Sequence, residues 1–572
     1  MNSCKPFSWE EVQTHNHRES CWVVIHGVVY DLSDFLDKHP GGATSILRYA
    51  GQDATQEYDA IHPPHTIEKG LSRDKHLGRI DVEQGNSDSV VAVATDERRK
   101  EKGIVSGTPT PTPTFTPTSP GSITMPMPTP MPTPMSTPTS TPIEACLNLN
   151  DLASAAKEVL SERAWVYYSS AAQDSLTLSH NLDDWKRVRF RPRIMRNVQK
   201  VSTARTILGF QSNLPFFMAP CALARLGHPD GELCLARGAA RANIPYCVSN
   251  SSSVSHEGLA ACLGTATTTT TTTGAGGGSG VGSDGGSGGG YGGDGSGGGG
   301  CLFFQLYVKR SKKETIQNIR RARDLGYKAL VVTVDTNVVG IREDDERLKI
   351  REAEALKLKR GQPGQLHHTT TDMSVAGSAS VSKGRLVRAP HSSTLNWEDL
   401  HWIKAAWQNA GPICLKGILT AEDVKIACDL GIDAVYLSNH GGRQLDSAPS
   451  ALVALMEIRR FCPEVLTKCH ILLDGGVRRG SDILKALCLG AAGVGLGRPF
   501  MYALSAYGTQ GVHKAIEMLT DEIETTMRLL GVTSLDELGP HLVNTGELEM
   551  LMGRNVHVSE PRETGTSTRS RL

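Results

Sequence analysis

The sequence predicts an α/β fold in which a TIM (β/α)8 barrel is preceded by a small α+β domain. From about residue 145 to residue 540, short apolar runs alternate with helical patterns, as in parallel strands joined by crossover helices. A separate set of strand and helix signals fills residues 1–82. Between the two lies a tract of threonine, proline and methionine, whose alternating prolines exclude helix and sheet and favour an extended spacer. Two folded domains joined by a linker are therefore expected.

The N-terminal segment predicts a small domain with two suitably placed histidines. Trp22–Ile25 and Val28–Asp31 predict a short hairpin, and helical stretches follow them. His39 precedes Pro40-Gly41-Gly42, and His62 precedes two prolines that must end a helix. Two neutral imidazoles on separate loops can bind one iron from opposite faces, and paired glycines let the backbone approach a flat macrocycle. For His39 alone, an ordinary turn would be the simpler interpretation.

Residues 6 to about 82 as a whole resemble the cytochrome b5-like haem domain. The matching residues are Trp22, Val28, Tyr30, Asp31, Phe35, the loop His39-Pro40-Gly41-Gly42, Ala50-Gly51 and His62. The resemblance implies a b-type haem, with His39 and His62 as axial ligands of its iron and no open site for oxygen. His65 lies off the motif and is not expected to bind the iron.

Composition divides the chain into four parts. We expect a haem domain at 1–82, a Thr/Pro-rich linker at 83–145, a barrel at 146–540 and a flexible tail at 541–572. Segment 265–300 is a threonine run followed by glycine and serine, too poor in apolar side chains to fold by itself. It falls between the second helix and third strand of the barrel, on the face opposite the active site, where insertions are tolerated. The segment from about 345 to 390 is expected to be a long loop after the fourth strand.

Polar side chains end nearly every predicted strand of the barrel. The eight apolar runs are Leu214–Met218, Ile244–Val248, Cys301–Val308, Ala329–Val334, Pro412–Leu415, Ala434–Leu437, His470–Leu473 and Ala492–Leu496. The polar residues at their ends are Ser249, Gln305, Tyr307, Thr333, Asp335, Lys416, His440, Arg443 and Asp474. In a parallel β/α barrel these strand ends meet at the face that carries the active site. An active site is therefore expected there.

The motif from Leu437 to Asp446 contains a candidate base and a candidate carboxylate-binding residue. His440 can accept a proton near neutral pH, and Arg443 can bind a carboxylate through two parallel hydrogen bonds. A glycine-rich turn with a surface histidine is the alternative for the motif alone.

Two glycine-rich segments after the last two strands predict a phosphate site. Asp474-Gly475-Gly476-Val477-Arg478 follows the seventh strand, and Gly495-Leu496-Gly497-Arg498 follows the eighth. Barrels often bind phosphate at this place with glycine N–H groups, a helix N-terminus and a cation. Two tight turns without a ligand are the alternative.

Residues 148 to about 531 resemble the FMN-dependent α-hydroxy-acid dehydrogenase/oxidase family. With the haem domain in front, the whole chain resembles its haem-containing branch, the cytochrome-type L-lactate dehydrogenases. The motifs that carry the resemblance are Tyr167-Tyr168-Ser169-Ser170, Phe304-Gln305-Leu306-Tyr307, Thr333-Val334-Asp335, Ser438–Asp446 and Asp474–Gly480. The chain departs from the family pattern at Ala171, where glycine is usual, and at Ser251, where a large apolar residue is usual.

The resemblance implies a role for each site residue. His440 would remove a proton from a 2-hydroxy acid, with Asp335 holding it in place. Arg443 and Arg342 would bind the substrate carboxylate, Tyr167 would add a hydroxyl donor, and Tyr307 would bind the substrate hydroxyl. Lys416 would lie beside the flavin ring. The other flavin contacts implied are Pro220, Cys221, Ala222, Ser249, Gln305, Thr333 and Ser438, with Asp474, Gly475, Gly476, Val477, Arg478, Gly497 and Arg498 at the phosphate end.

The expected function is oxidation of an L-2-hydroxy acid, L-lactate to pyruvate, with FMN and haem b as cofactors and a cytochrome c-like electron acceptor. An oxidase that passes electrons from FMN to oxygen is the alternative. A degenerate barrel that serves only as a haem electron-transfer module would have lost His440, Asp335 or an arginine, and all are present. The resemblance also suggests a homotetramer.

Charge and targeting signals limit the partners and the location. Lys+Arg and Asp+Glu both number 60, so no net field favours nucleic acid or an acidic membrane. No run of about 18 apolar residues predicts a membrane span. Thirteen scattered cysteines without a Cys-x-x-Cys pair suit a reducing compartment. The N-terminus shows neither an apolar signal core nor an Arg-rich presequence. Ser570-Arg571-Leu572 is a conservative variant of the Ser-Lys-Leu address and predicts a peroxisomal location, with the mitochondrial intermembrane space or cytoplasm as alternatives.

Overall fold

A computed structural model describes residues 6–39, 43–62, 66–81, 141–264, 300–359 and 391–552. Several predictions from the sequence lie outside the described residues. They concern Pro40-Gly41-Gly42, His65, most of the linker, nearly all of the insert, residues 360–390 and Ser570-Arg571-Leu572. The domain boundaries at residues 82 and 145 therefore stay predictions. The expectation of a flexible tail from residue 541 was wrong as far as residue 552, because Val543–Asn544 pairs with Arg189–Phe190 and Gly546–Glu549 forms a helix with Leu548 buried.

The N-terminal domain is a four-stranded antiparallel sheet with short helices. Its elements in chain order are α1 (Trp9–Thr14), β1 (Asn16–His17), β2 (Ser20–Ile25), β3 (Val28–Asp31), α2 (Ala43–Leu47), α3 (Thr55–Ile61), α4 (Thr66–Gly70) and β4 (His76–Arg79). The strands pair in the order β1-β2-β3-β4, and the predicted hairpin is β2–β3, with Ile25 opposite Val28. One face of the sheet packs on α2 and α3 through residues that include Val23, Leu36 and Ile46. His62 caps the C-terminal end of α3.

Three helices and three short strands come before the barrel. They are α5 (Leu149–Val159), α6 (Glu162–Ser169), α7 (Leu176–Arg187), β5 (Arg189–Phe190), β6 (Arg205–Ile207) and β7 (Phe210–Ser212). Strands β6 and β7 form an antiparallel hairpin. Ile207, at the end of β6, is fully buried with the apolar side chains inside the barrel.

Eight parallel strands close the barrel, which confirms the predicted fold class. In chain order the elements are β8 (Phe216–Met218), α8 (Glu232–Ala242), β9 (Tyr246–Val248), α9 (His256–Cys262), β10 (Leu302–Tyr307), α10 (Lys312–Asp324), β11 (Ala329–Thr333), α11 (Glu343–Lys359), α12 (Leu400–Trp407), β12 (Ile413–Ile418), α13 (Ala421–Asp429), β13 (Ala434–Leu437), α14 (Ala451–Phe461), α15 (Val465–Lys468), β14 (His470–Leu473), α16 (Gly480–Cys488), β15 (Gly493–Leu496), α17 (Arg498–Leu530), β16 (Val543–Asn544) and α18 (Gly546–Glu549). The strands from β8 to β15 pair in sequence order, and β15 pairs with β8. Each overlaps one of the eight predicted runs, although β12 extends to Ile418 and therefore includes Lys416. The polar strand ends therefore meet at one face.

The expectation of a loop throughout residues 345–390 was wrong for its first part, where α11 forms. The sequence of α11 is rich in Glu, Lys, Leu and Ala, which favour helix. Its first turn carries four acidic residues, which stabilise a helix N-terminus. Arg347 also pairs with Glu343 four residues earlier. Helix-favouring residues and the local charge pattern therefore stabilise a helix where the polar composition had suggested a loop.

The N-terminal domain packs on the face of the barrel that carries the polar strand ends. Helix α3 lies against the short turn Ala224–Leu226 that follows β8, where Arg225 Nη1 donates to Asp59 O at 3.2 Å. Arg48 forms a bidentate ion pair with Glu352 of α11, and both side chains are largely buried. The turn Ala224–Leu226 and helix α11 both follow the C-terminal ends of barrel strands. His62 of the N-terminal domain and His440 therefore lie on the same side of the barrel.

Among the helices that the structure describes, none combines the length and the apolar character that a membrane span requires.

Candidate active site and haem site

His440 forms a hydrogen-bonded set with Asp335 and Tyr307 at the mouth of the barrel. Its Nδ1 lies 3.1 and 3.2 Å from the two carboxylate oxygens of Asp335. Its Nε2 lies 3.4 Å from the hydroxyl of Tyr307. A carboxylate at Nδ1 favours the tautomer with the proton on that nitrogen. The lone pair of Nε2 is then available to accept a proton from a ligand that lies beside Tyr307.

The backbone at His440 is held in an uncommon conformation. His440, Gly441 and Gly442 follow β13 with φ angles of 60°, 65° and 78°. The left-handed region is unfavourable for a residue with a Cβ, and such residues are enriched at functional sites. At Gly442, a Cβ would come within 2.8 Å of Leu178 N, so only glycine fits. The Ser438 hydroxyl accepts from His440 N at 3.1 Å and helps to fix the turn.

The surroundings keep Asp335 charged and His440 neutral. Burial would raise the pKa of Asp335, but the interaction with His440, the charge of Lys416 and a backbone hydrogen bond together outweigh it and lower the pKa. Burial lowers the pKa of His440, Asp335 opposes this shift, and the cations Lys416 and Arg342 add to it. A neutral imidazole beside a carboxylate is the form that a general base requires.

Two guanidinium groups lie together beside this set. Arg443 Nη1 donates to Tyr167 O at 2.8 Å and to Ser170 O at 2.9 Å, and its guanidinium lies 5.3 Å from the centre of the Tyr167 ring. Arg342 Nε lies 3.4 Å from Arg443 O, and burial together with the charge of Arg443 lowers the pKa of Arg342 to about 10. Asp345 lies 4.0 Å from Arg342 Nη1 and offsets part of the repulsion between the two cations, and a further anion between them would relieve the rest. The pair therefore suits a substrate carboxylate.

A buried set of polar side chains runs across neighbouring strand ends. Ser249 Oγ donates to Gln305 Oε1 at 3.4 Å, and Gln305 Nε2 donates to Thr333 Oγ1 at 2.9 Å. Lys416 Nζ donates to Ser438 Oγ at 2.9 Å. The predicted flavin contacts on these strands are thus brought together, with amide, hydroxyl and ammonium groups that suit the polar edge of a flavin.

The last two strands end at a cradle with an excess of positive charge. A Cβ at Gly476 would lie 1.7 Å from Asn181 O, so the chain passes too close for any side chain. Arg498 donates to Tyr168 O, Gly441 O and Ser170 O, and Arg478 Nη1 donates to Val477 O. Burial lowers the pKa of Arg498, to about 10, and that of Arg478. Both cations bond main-chain carbonyls, and neither pairs with a carboxylate within the described residues.

One buried acceptor in this region also lacks a partner. Asp474 Oδ1 is buried and has no hydrogen-bond partner among the residues that the structure describes, while its other oxygen lies 3.9 Å from Lys416 Nζ. A buried acceptor without a donor costs free energy of about 1–3 kcal/mol. Hydroxyl groups of a ligand could satisfy it, and a phosphate could neutralise the two arginines. The residues present therefore fit FMN.

The remaining predicted flavin contacts lie around this cradle. Pro220, Cys221 and Ala222 follow β8 and are half-buried, and a Cβ at Gly497 would lie 3.0 Å from Cys221 Sγ. The side chain of Val477 is buried. Gly475 O accepts from Trp185 Nε1 at 2.9 Å, which fixes the turn to α7. Ser251 is exposed, in contrast to its buried neighbours Ser252 and Ser253.

The N-terminal domain brings its two predicted haem ligands close together. The ring centroids of His39 and His62 are 6.0 Å apart. An imidazole nitrogen binds a metal at about 2.0 Å, so two rings on opposite sides of one ion have centroids roughly 6 Å apart. His62 Nδ1 lies 3.2 Å from Tyr58 O, which leaves Nε2 to bind the iron. Tyr58 also stacks on the His62 ring with centroids 4.5 Å apart. The two histidines therefore fit a haem with two axial imidazoles.

Sequence reasoning missed several residues that support the site. Ser170 accepts hydrogen bonds from Arg443 and Arg498 at once. Asn181 forms a pair of amide hydrogen bonds with Asn439 at 2.8 and 2.7 Å. Gln444 Nε2 donates to Val338 O at 2.9 Å, next to the turn that carries Asp335. Ser170 and Gln444 lie in motifs that the sequence singles out, whereas Asn181, on α7, carries no local signal.

Comparison with protein families and known proteins agrees with this geometry. Residues 156–273 and 295–545 match the family model described as FMN-dependent dehydrogenase, and residues 8–81 match the cytochrome b5-like Heme/Steroid binding domain. An L-lactate dehydrogenase (cytochrome) from Wickerhamomyces anomalus is 35% identical over 538 residues, which cover 94% of this chain and 79% of the relative. The protein of the same name from Saccharomyces cerevisiae is 35% identical and covers 98% of this chain and 82% of its own.

Other similar proteins match a smaller part of this chain. Glycolate oxidase 3 from Arabidopsis thaliana is 36% identical, and the match covers 70% of this chain and 96% of that protein. Among solved structures, a pyruvate-bound mutant of flavocytochrome b2 is 34% identical with a TM-score of 0.59 and covers 75% of this chain and 95% of its own. The site geometry and the family matches agree: the chain belongs to the FMN-dependent dehydrogenase family and carries a cytochrome b5-like haem domain in front of its barrel.

Proposed function

We propose that this enzyme oxidises L-lactate to pyruvate and passes the electrons to a cytochrome c-like acceptor. The observation that carries the proposal is the placement of a neutral histidine base and two adjacent arginines at the barrel face against which the haem domain packs. The relatives named L-lactate dehydrogenase (cytochrome), which match nearly the whole chain, support this choice of substrate and acceptor.

Each active-site residue has a separate role in binding or deprotonating the substrate. Arg443 and Arg342 bind the carboxylate and orient the 2-hydroxyl group towards His440. His440 Nε2 takes the hydroxyl proton, and Asp335 stabilises the imidazolium that results. The Tyr307 hydroxyl, 3.4 Å from His440 Nε2, hydrogen-bonds the substrate oxygen as it loses its proton. Burial raises the pKa of Tyr307, so it stays a donor throughout.

FMN and haem are the cofactors of this enzyme. When bound, FMN accepts the two electrons of the substrate C–H bond, and the haem passes them on singly. Gln305, Thr333, Lys416 and Ser438 would hold the flavin ring, and a cation such as Lys416 beside the ring favours negative charge there. Arg478 and Arg498 would hold the phosphate.

The position of the haem domain supports electron transfer within one chain. His62 caps α3, and α3 is the helix that lies against the turn Ala224–Leu226. The turn follows β8, at the same face as His440. The Arg48–Glu352 ion pair holds a second point of the interface.

The test is anaerobic mixing with L-lactate while flavin bleaching and haem reduction are followed together. We expect the flavin to bleach first and the haem to be reduced afterwards, with cytochrome c reduced on its addition. Flavin bleaching without haem reduction, together with rapid peroxide formation in air, would instead identify a 2-hydroxy-acid oxidase.

We propose in addition that the enzyme is a homotetramer, as the resemblance to its family suggests. Sedimentation of the holoenzyme gives its mass directly. A monomeric mass at the concentration used for assay would reject the tetramer without affecting the proposed reaction.

A further inference from the structure

A second histidine, His391, lies behind the active-site tyrosine. Residues 391 and 392 run along the end of β10, where His391 forms an antiparallel bridge with Lys309. Ser392 N donates to Val308 O at 2.8 Å. The segment is thus attached by its backbone to the residues that directly follow Tyr307, and the side chain of His391 is placed by that attachment.

Three rings lie nearly parallel at this place. The rings of His391 and Tyr307 have centroids 4.3 Å apart and planes inclined by 19°. The rings of Tyr307 and His440 have centroids 6.4 Å apart and planes inclined by 13°. The phenol is therefore held on one side by His391, and its hydroxyl meets His440 Nε2 on the other. A flat ring in contact with the phenol limits its rotation about the bond that carries it.

The electrostatic surroundings of His391 include the turn that carries Asp335, the partner of the base. Burial lowers the pKa of His391, the Thr336 backbone opposes this shift, the proximity of His440 and Lys309 lowers the pKa further, and Asp335 raises it. Thr336 directly follows Asp335. His391 Nδ1 is buried and has no hydrogen-bond partner among the described residues. A buried nitrogen without a partner is unfavourable, so the stack on Tyr307 and the backbone attachment hold the ring in place against that cost.

We propose that His391 is a positioning residue that holds the Tyr307 phenol in line with His440. This inference rests on the proposed function, since it assigns to Tyr307 a hydrogen bond with the substrate oxygen. His391 acts through Tyr307, and none of the contacts described for it involves the arginine pair or the phosphate cradle. Its loss should therefore slow the chemical step and leave the binding of the substrate carboxylate nearly unchanged.

A double-mutant cycle in the holoenzyme tests the proposal. We expect His391→Ala to slow flavin reduction at saturating substrate about tenfold, because a small misplacement of a reacting group is costly, with KM changed less than about twofold. His391→Phe, which keeps a flat ring, should recover the rate to within about twofold of the unsubstituted enzyme. In a Tyr307→Phe background, which has no hydroxyl to position, His391→Ala should cause no further loss. Ser393→Ala, at an exposed neighbour on the same segment, is the matched control and should change nothing.

Three results would overturn the proposal. The first is a multiplicative loss in the double mutant, which would show that His391 acts independently of Tyr307. The second is a rate for His391→Phe as low as that for His391→Ala. The third is a full rate for His391→Ala. Flavin absorbance and Tm, measured on every variant, show that FMN is bound and the domain folded.

The unsubstituted enzyme is mixed with L-lactate first, which tests the proposed function separately. The cycle compares ratios of rates among variants and can be read with any 2-hydroxy acid that reduces the flavin. Failure of lactate as a substrate is therefore distinguishable from failure of the role assigned to His391.

Discussion

His62 in the haem domain and His440 at the barrel mouth are both partly buried, and burial lowers the pKa of each. They differ in what lies at Nδ1. For His62 it is the main-chain oxygen of Tyr58, and for His440 it is the carboxylate of Asp335. A carbonyl oxygen fixes the tautomer and adds little charge, which suits a metal ligand that stays neutral. A carboxylate also stabilises an imidazolium, which suits a group that must accept a proton.

What lies at Nε2 completes the contrast. His62 faces the ring of His39, with room for one metal ion between the two. His440 faces the Tyr307 hydroxyl, near a pair of arginines that attract an anion. The same side chain therefore serves as a ligand or as a base according to its two neighbours, and changing each histidine should affect a different half of the reaction.

The largest expected effect is on the haem side. His62→Ala removes an axial ligand and should abolish the b-type spectrum together with cytochrome c reduction, while flavin reduction by lactate stays within about twofold, because FMN is bound by the barrel alone. Visible spectra and stopped-flow flavin bleaching measure both. His17→Ala, at an exposed histidine of the same domain, is the control and should keep the haem. Collapse of flavin reduction in His62→Ala would show that the two sites are not separable.

The second prediction changes the barrel site and leaves the haem site intact. His440→Gln should keep FMN and haem bound but slow flavin reduction about 10²–10⁴-fold, the usual cost of losing a general base. His401→Gln changes an exposed histidine on α12 and should have no effect. Near-normal bleaching of the flavin by lactate in His440→Gln would remove this residue from the proton transfer.

The third prediction has a smaller expected effect. It replaces the carboxylate partner of His440 by a neutral amide, so that His440, like His62, has an uncharged partner at Nδ1. Asp335→Asn should lower kcat/KM by about 10²-fold, near the lower end of the range for loss of the base itself. The neutral imidazole is the active form, and its pKa is already lowered, so the acid limb of kcat/KM lies below the ordinary histidine value of about 6.5. Asp335 raises that pKa, so its removal should move the acid limb to still lower pH. A pH–rate profile of both forms checks this, and a shift to higher pH would contradict it.

The smallest effect concerns the contact that joins the two regions. Arg48→Glu places like charges at the interface with Glu352 and should slow electron transfer from flavin to haem by about three- to tenfold, since charge pairs at interfaces contribute modestly. Adding Glu352→Arg reverses the pair and should restore most of the rate, while flavin reduction stays constant throughout. The pair formed by Arg351 and Glu162, which joins α11 to α6 within the barrel domain, is the control for charge reversal. Failure of the double reversal to recover the rate would show that this pair does not hold the docked domain.

The sequence by itself determined the barrel and the ring of polar side chains at its mouth. Because all parallel strands point the same way, their C-terminal ends meet at one face, so finding the ends of Ala329–Thr333 and Ala434–Leu437 was enough to bring Asp335 and His440 together. The two haem ligands were also predicted, through the resemblance of residues 6 to about 82 to the cytochrome b5-like haem domain, because a histidine before a proline by itself indicates only a turn.

Only the tertiary structure decided what supports and connects these groups. Asn181 reaches the turn at Gly476, His391 stacks on Tyr307, and Arg48 meets Glu352 across 304 residues of sequence. None of these contacts follows from hydrophobic periodicity or a local motif, because each arises only when the barrel closes and the haem domain packs on it. A strand pattern fixes the face on which a side chain lies. Which segment packs against that face is decided by the tertiary fold, because the segments concerned are distant in sequence.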